Sequence, residues 1–223
     1  MKIRMFAALI ILCAAPLAAQ APDASPAAQT PVPVRVAQTH SSDIGFSYSL
    51  PLDWEIVDMK PMLPVVREQV TKGATSDGEK KGIACAQIAL LAKYGDPPSV
   101  IEAVVVPFDC IGQHFTDKDL ATAASGVAEG LKKAFNITDP VYGAYTLGTH
   151  SVWIERATGS FISHPEFKRT VETACTILKK GLVCWMAMAA DTGALQTFER
   201  GAVTLEGEEL PALVPADALQ KKP

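Results

Sequence analysis

The chain has little of what most metal, phosphate and nucleic-acid chemistry requires. Four of its 223 residues are His, and none of His40, His114, His150 and His164 stands three or four positions from another. No H-E-x-x-H and no C-x-x-C occurs, which removes the common zinc patterns. Glycines stand singly, without G-x-x-x-x-G-K or G-x-G-x-x-G, so no loop is built to cradle phosphate. No G-x-S-x-G elbow is present. An excess of positive charge is also missing: Lys+Arg number 20 against 24 Asp+Glu, a net of -4, which gives no electrostatic footprint for nucleic acid. Charged residues make up 20% of the chain and hydrophobic ones 48%, the reverse of a disordered composition. No apolar run reaches the ~20 residues that a membrane span needs.

What is present begins with an address. Lys2 and Arg4 precede an uncharged apolar run over residues 5–15 (MFAALIILCAA), which stops at Pro16 and gives way to small residues around Ala19-Gln20-Ala21. That order predicts a secretory signal peptide over residues 1–21, cut within 18–21. Cys13 follows Ile11-Leu12 rather than a small residue, so lipidation is not expected. Residues 22–40, rich in Pro, Ala and Gln without apolar periodicity, read as a linker. The expected product is soluble, without a transmembrane segment once the signal is removed, and periplasmic or extracellular. Without Lys2 and Arg4 the balance becomes 18 to 24, a net of -6.

Export also removes Cys13 and leaves Cys85, Cys110, Cys175 and Cys184, an even number in a disulfide-permissive compartment. Cys175 and Cys184 flank Lys179-Lys180-Gly181. A loop of two or four residues sets them opposite on one face, whereas a loop of three sets them on opposite faces. Cys85 and Cys110 fall in or just after two apolar segments. Pairing Cys175 with Cys184 and Cys85 with Cys110 joins predicted neighbours; buried free thiols are the other reading.

The domain is expected over residues 41–207, followed by a Pro-interrupted tail at 208–223. Alternation over residues 44–50, a turn at Pro51-Leu52-Asp53 and a strand from Trp54 predict an opening hairpin, with Phe46, Tyr48, Leu50, Trp54 and Ile56 in the core. Residues 72–81 (KGATSDGEKK) read as a surface loop. The apolar runs 83–92 and 100–108 read as buried strands, broken by Gly95-Asp96-Pro97-Pro98. Thr116 and Asp119 open a helix carrying Leu120, Ala124, Val127, Leu131 and Ala134, which ends before Asp139-Pro140. One or two strands follow over 142–157, with Gly148 as a break. A hairpin spans 169–190, and a last helix with Leu195, Phe198, Ala202 and Leu205 spans 193–205. This order predicts an α+β fold with a mostly antiparallel sheet.

Two further readings concern function. Gly45-Phe46-Ser47-Tyr48-Ser49-Leu50-Pro51-Leu52-Asp53-Trp54 resembles the opening of PsbP-like domains, and Leu147-Gly148-Thr149-His150-Ser151-Val152-Trp153 is similar to their glycine-started central strand. The resemblance implies an α/β/α sandwich, an antiparallel sheet flanked by helices. It also implies a non-catalytic binding or assembly factor of an exported compartment, with no catalytic residue and no cofactor to carry over. The partner expected is an unidentified protein or small-molecule ligand acting at the sheet edge or a loop-rimmed concavity, with no nucleic acid. The alternative is an exported hydrolase with a dispersed site around His150, Glu155 and His164, which requires those three side chains to converge in one pocket.

Overall fold

A computed structural model describes residues 38–50, 53–132, 135–162, 164–215 and 218–219. The predicted signal peptide, most of the linker, the Pro51-Leu52 turn and Ala134 lie outside the described residues. In chain order the elements are β1 (Gln38–Ser41), β2 (Phe46–Leu50), β3 (Glu55–Ile56), α1 (Leu63–Lys72), α2 (Asp77–Cys85), β4 (Gln87–Tyr94), β5 (Ser99–Pro107), α3 (Phe108–Ile111), α4 (Asp117–Leu131), β6 (Phe135–Leu147), β7 (His150–Phe161), β8 (His164–Leu178), β9 (Gly181–Ala189), α5 (Thr192–Glu199), β10 (Val203–Leu205) and β11 (Glu208–Leu210). The class is α+β.

The central layer is a seven-stranded sheet in the order β3-β4-β5-β9-β8-β7-β6, and every pairing in it is antiparallel. Its middle strands, β5 and β9, are buried along nearly their whole length. That is why residues 100–108 read as an apolar run rather than an alternating one, and why the hairpin arm 182–190 is apolar as well: both faces are covered. Alternate residues supply the two faces. Leu91, Val104, Val106, Val171, Met186 and Met188 pack with Val66, Ile83, Phe108, Leu120, Ala124 and Val127 of the helices α1 to α4. Ala92, Ile101, Val105, Ile154, Ala174 and Trp185 pack with Phe46, Tyr48, Leu50, Phe198 and Leu205 on the other side. This second outer layer is built from α5 and a small antiparallel sheet in the order β1-β2-β10-β11.

Helix α4 begins as its sequence requires. Thr116 and Asp119 form a capping box, in which the Thr116 backbone N–H donates to Asp119 Oδ2 at 2.9 Å. Gly148, at φ 60°, makes the break between β6 and β7.

Several boundaries differ from expectation. The opening hairpin is not formed: β2 pairs with β1 and β10, whereas β3 pairs with β4 in the other sheet. Alternation predicts a buried face but not the layer that covers it. Phe46, Tyr48, Leu50 and Trp54 are nevertheless buried. Residues 72–81 are not one loop, because Ser76 and Glu79 form a second capping box that starts α2 at Asp77. That helix runs to Cys85, so the strand expected from residue 83 begins at Gln87. The helix expected to end shortly before Asp139-Pro140 stops already at Leu131, and Asp139 lies at an irregularity inside β6, at φ 53°. The last helix stops at Glu199. Its predicted stripe merged a helical pair, Leu195 and Phe198, with the period-two residues Val203 and Leu205 of β10. Gly201 marks the change: a Cβ there would sit 2.1 Å from the Tyr48 hydroxyl oxygen. The segment set apart as a tail joins the fold. It supplies β11, buries Leu213, Val214 and Ala218, and lies so close to β6 that a Cβ on Gly143 would meet the Ala218 carbonyl oxygen at 2.8 Å.

Candidate functional site

Three short turns converge at one pole of the central sheet. The pairings Leu147↔His150, Leu178↔Gly181 and Leu205↔Glu208 leave two residues in each: Gly148-Thr149, Lys179-Lys180 and Glu206-Gly207. The segment after α3 closes the fourth side with His114 and Phe115. The Phe108 backbone N–H donates to the Lys180 carbonyl oxygen at 2.9 Å and so ties this segment to the β8–β9 turn. Together they enclose a cleft of about 340 Å³ lined by Phe108, His114, Phe115, Thr149, His150, Ile177, Leu178, Lys179 and Glu206. Phe108 meets His114 and Phe115 edge-on, with ring centroids at 5.4 and 5.6 Å.

Glu206 holds the turns together. Both Glu206 and Gly207 have positive φ, 51° and 90°, the requirement of the hairpin turns that match strand twist. Glutamate rarely adopts this backbone region, and it persists where surrounding contacts fix it. Here they do. The Lys179 backbone N–H donates to Glu206 Oε1 at 2.7 Å, and the Glu206 N–H donates to the Gly45 carbonyl oxygen at 2.8 Å. Lys179 Nζ lies 3.6 Å and His150 Nε2 3.9 Å from Glu206 Oε2.

Of the predicted dispersed trio, only His150 lies in this cleft. Glu155 sits five residues along β7, on the opposite face, near Glu129 of α4 and Lys132 just beyond it; burial raises its carboxyl above the usual range, with Lys132 opposing. His164 is paired with Phe161 at the far end of β7, eleven residues from His150, or about 35 Å at ~3.3 Å per residue. It is exposed there, 3.4 Å from Glu166. The three side chains do not converge, because strand periodicity and strand length separate them.

A second polar cluster escaped the sequence reading. Arg156 of β7 donates through Nε and Nη2 to Glu172 Oε2 of β8, at 3.1 and 2.8 Å, and through Nη2 to Glu199 Oε1 at the end of α5. Glu172 is fully buried. Burial first, and the neighbouring Glu199 second, push its carboxyl up to about 8, against the opposing pull of Arg156. Glu199 also accepts, through its backbone carbonyl, from the N–H groups of Leu213 and Val214 at 2.9 and 3.1 Å. The cluster therefore fastens α5 and the C-terminal segment to the sheet.

Cys85 is bonded to Cys110, linking the end of α2 to α3, and Cys175 to Cys184 across β8 and β9. The two-residue Lys179-Lys180 loop is the case in which Cys175 and Cys184 stand opposite each other. Among the described residues, no group of three or more His, Cys, Asp or Glu is placed to hold a metal ion. None of the helices there is long and apolar enough to cross a membrane.

The architecture is thus a three-layer α+β domain with a turn-rimmed cleft at one pole. No protein-family model and no curated protein matches the chain. Among solved structures it is similar to cyanobacterial PsbP from Synechocystis, at 12% identity and a TM-score of 0.40, covering 74% of this chain and 86% of that one. It is also similar to LpqN of Mycobacterium tuberculosis, described as involved in cell envelope biogenesis, at 18% identity and a TM-score of 0.38, covering 71% and 83% respectively. At these values the likenesses assign no residue a role and the chain no activity.

Proposed function

We propose that this chain is an exported, soluble, non-enzymatic binding or accessory module of the cell envelope, which takes its partner in the cleft between the three turns and the α3–α4 segment. The observation that carries this reading is the convergence itself. Four separate parts of the chain meet at one pole, and a strained glutamate backbone is held there by contacts to the Lys179-Lys180 turn and to Gly45 of the β1–β2 connection. Backbone strain of this kind clusters at ligand sites, which supports a binding role for the cleft. Phe108, Phe115 and Leu178 supply an apolar floor, and Thr149, His150, Lys179 and Glu206 supply the few polar groups that orient a ligand. The export part rests on the charged, apolar and small-residue order of residues 1–21, and on two disulfides of the kind that persist in oxidising compartments.

The test is capture from the exported fraction with wild-type protein and with Thr149→Trp, which fills the cleft from an exposed rim position. Wild type is expected to retain a partner or small molecule that the filled variant does not. If the two capture the same set, the cleft is not the binding site.

A further inference from the structure

We propose that Cys85–Cys110 is a thiol–disulfide exchange site, attacked by dithiols at the Cys110 sulfur, and that its opening loosens one wall of the cleft; the second half rests on the binding role assigned to that cleft. The two disulfides stand in different surroundings. Cys175 and Cys184 lie in the core between the sheet and the helices, with Val171, Leu182 and Met186. Their strands are paired on both sides, so a reductant reaches them only if the layers part. At Cys85–Cys110 one partner, Cys85, is buried, whereas Cys110 is exposed along with Ala84, Asp109 and Gly112. Exchange needs an approach to one sulfur, and of the four bonded cysteines Cys110 is the exposed residue.

A cation stands beside α3. Lys81, one turn before Cys85 on α2, extends to α3: a Cβ on Gly112 would sit 3.4 Å from Lys81 Nζ. A positive charge beside α3 draws an attacking thiolate towards this helix. Asp109, beside Cys110, acts in the other sense and disfavours anionic thiols such as glutathione. The reductant of matching chemistry is therefore a neutral dithiol or a dithiol protein.

The reductant's first thiolate attacks Cys110 Sγ. The S–S bond breaks, a mixed disulfide forms, and Cys85 leaves as a thiolate that takes up a proton. The second thiol of the reductant then attacks its own sulfur in the mixed disulfide and releases Cys110 as a thiol. The protein gains two electrons and two protons, and the dithiol becomes a disulfide. Reduction removes the link between α2 and α3. That short helix carries Phe108 in the cleft floor, and the chain after it supplies His114 and Phe115.

The exported protein is treated under native conditions with dithiothreitol, quenched with iodoacetamide over time, and mapped by peptide mass. A two-label species at Cys85 and Cys110 is expected to form about tenfold or more faster than any label at Cys175 or Cys184. Equal rates, or labelling of all four together, overturn the proposal. Lys81→Gln is expected to slow the step a few-fold; an unchanged rate removes the ammonium from the mechanism. Histidine ring signals measured by NMR before and after reduction test the coupling. Those of His114 are expected to move and those of His164, at the other pole, to stay. A still His114 overturns the coupling. Selective labelling with no captured ligand leaves the exchange site standing and removes the binding reading; non-selective labelling with a captured ligand does the reverse.

Discussion

Glu172→Gln is expected to flatten the pH dependence of stability and to make the protein more stable in mild alkali. The carboxyl lies fully buried between β7, β8 and α5, with one guanidinium, that of Arg156, shared with Glu199. Two carboxylates facing one cation in a dry site favour keeping one of them neutral, and Glu172 holds its proton up to about 8. In the unfolded chain a glutamate releases its proton near 4.3. Between these two values the native state carries a proton that the unfolded state has lost, so stability falls as pH rises through that window. The contribution is complete below about 4.3 and gone above about 8. The span corresponds to at most ~5 kcal/mol. Because Arg156 is partly open to solvent and the site can relax, we expect about 2–4 kcal/mol of it to be measurable.

Glutamine reproduces the neutral form: its carbonyl oxygen accepts from Arg156 and its amide N–H can donate to Glu199. Urea unfolding followed by the fluorescence of the buried Trp54 and Trp185 is the assay, at intervals between pH 5 and 9. At pH 5 to 6 the two proteins should agree within about 1 kcal/mol. At pH 9 the variant should be more stable by most of the wild-type loss. The opposite result is equally definite. If Glu172 were an ordinary ionised partner of Arg156, replacing it would break a buried pair and cost about 3–5 kcal/mol across the neutral range. Parallel curves, or a variant weaker than wild type at pH 9, would falsify the assignment.

The remaining predictions concern packing, the covalent ties and export. Gly201→Ala places a methyl where the Tyr48 hydroxyl sits, so it should displace that ring and its 2.8 Å hydrogen bond to the Phe198 carbonyl oxygen, at about 2–3 kcal/mol in urea denaturation. Replacing Cys175 and Cys184 together by Ala removes a closed loop of nine residues' separation and should cost about 3 kcal/mol, read as a lower denaturation midpoint against the wild-type protein. Thr116→Ala deletes one half of the α4 capping box and should cost about 1 kcal/mol; a loss under a few tenths would mean that Asp119 caps the helix alone. Sequencing the N terminus of the exported protein should find a start just after a residue within 18–21, and an intact Met1 in that fraction would refute the signal reading.

How much was legible follows from where each signal is written. Strands β5 and β9 could be read directly because burial on both faces leaves them almost wholly apolar, with Glu102 the one charge between Val100 and Phe108 and none between Leu182 and Ala189. Helix α4 was equally plain, since its cap and its apolar stripe agree. What a strand pairs with is not local information: Phe46, Tyr48 and Leu50 announce a buried face, yet the partner across from them is Val203–Leu205, some 150 residues later. The candidate site was hidden for the same reason. Glu206 is a polar residue before a glycine, unremarked among Glu208 and Glu209, and its role appears only when the turns after Leu147 and Leu178 are brought beside it. Arg156, Glu172 and Glu199 are separated by 16 and 27 positions. One of them did leave a trace. Glu172 shares a strand face with Ala174, Thr176 and Leu178, all buried, and a lone acid on such a face must be neutralised or paired. Read that way, the segment Val171-Glu172-Thr173-Ala174-Cys175 calls for an arginine opposite, and the antiparallel register supplies Arg156 directly across from it. The three-residue trio of His150, Glu155 and His164 lacked any such demand. Its members were joined by nearness in sequence, and a strand turns nearness in sequence into opposite faces and distant ends.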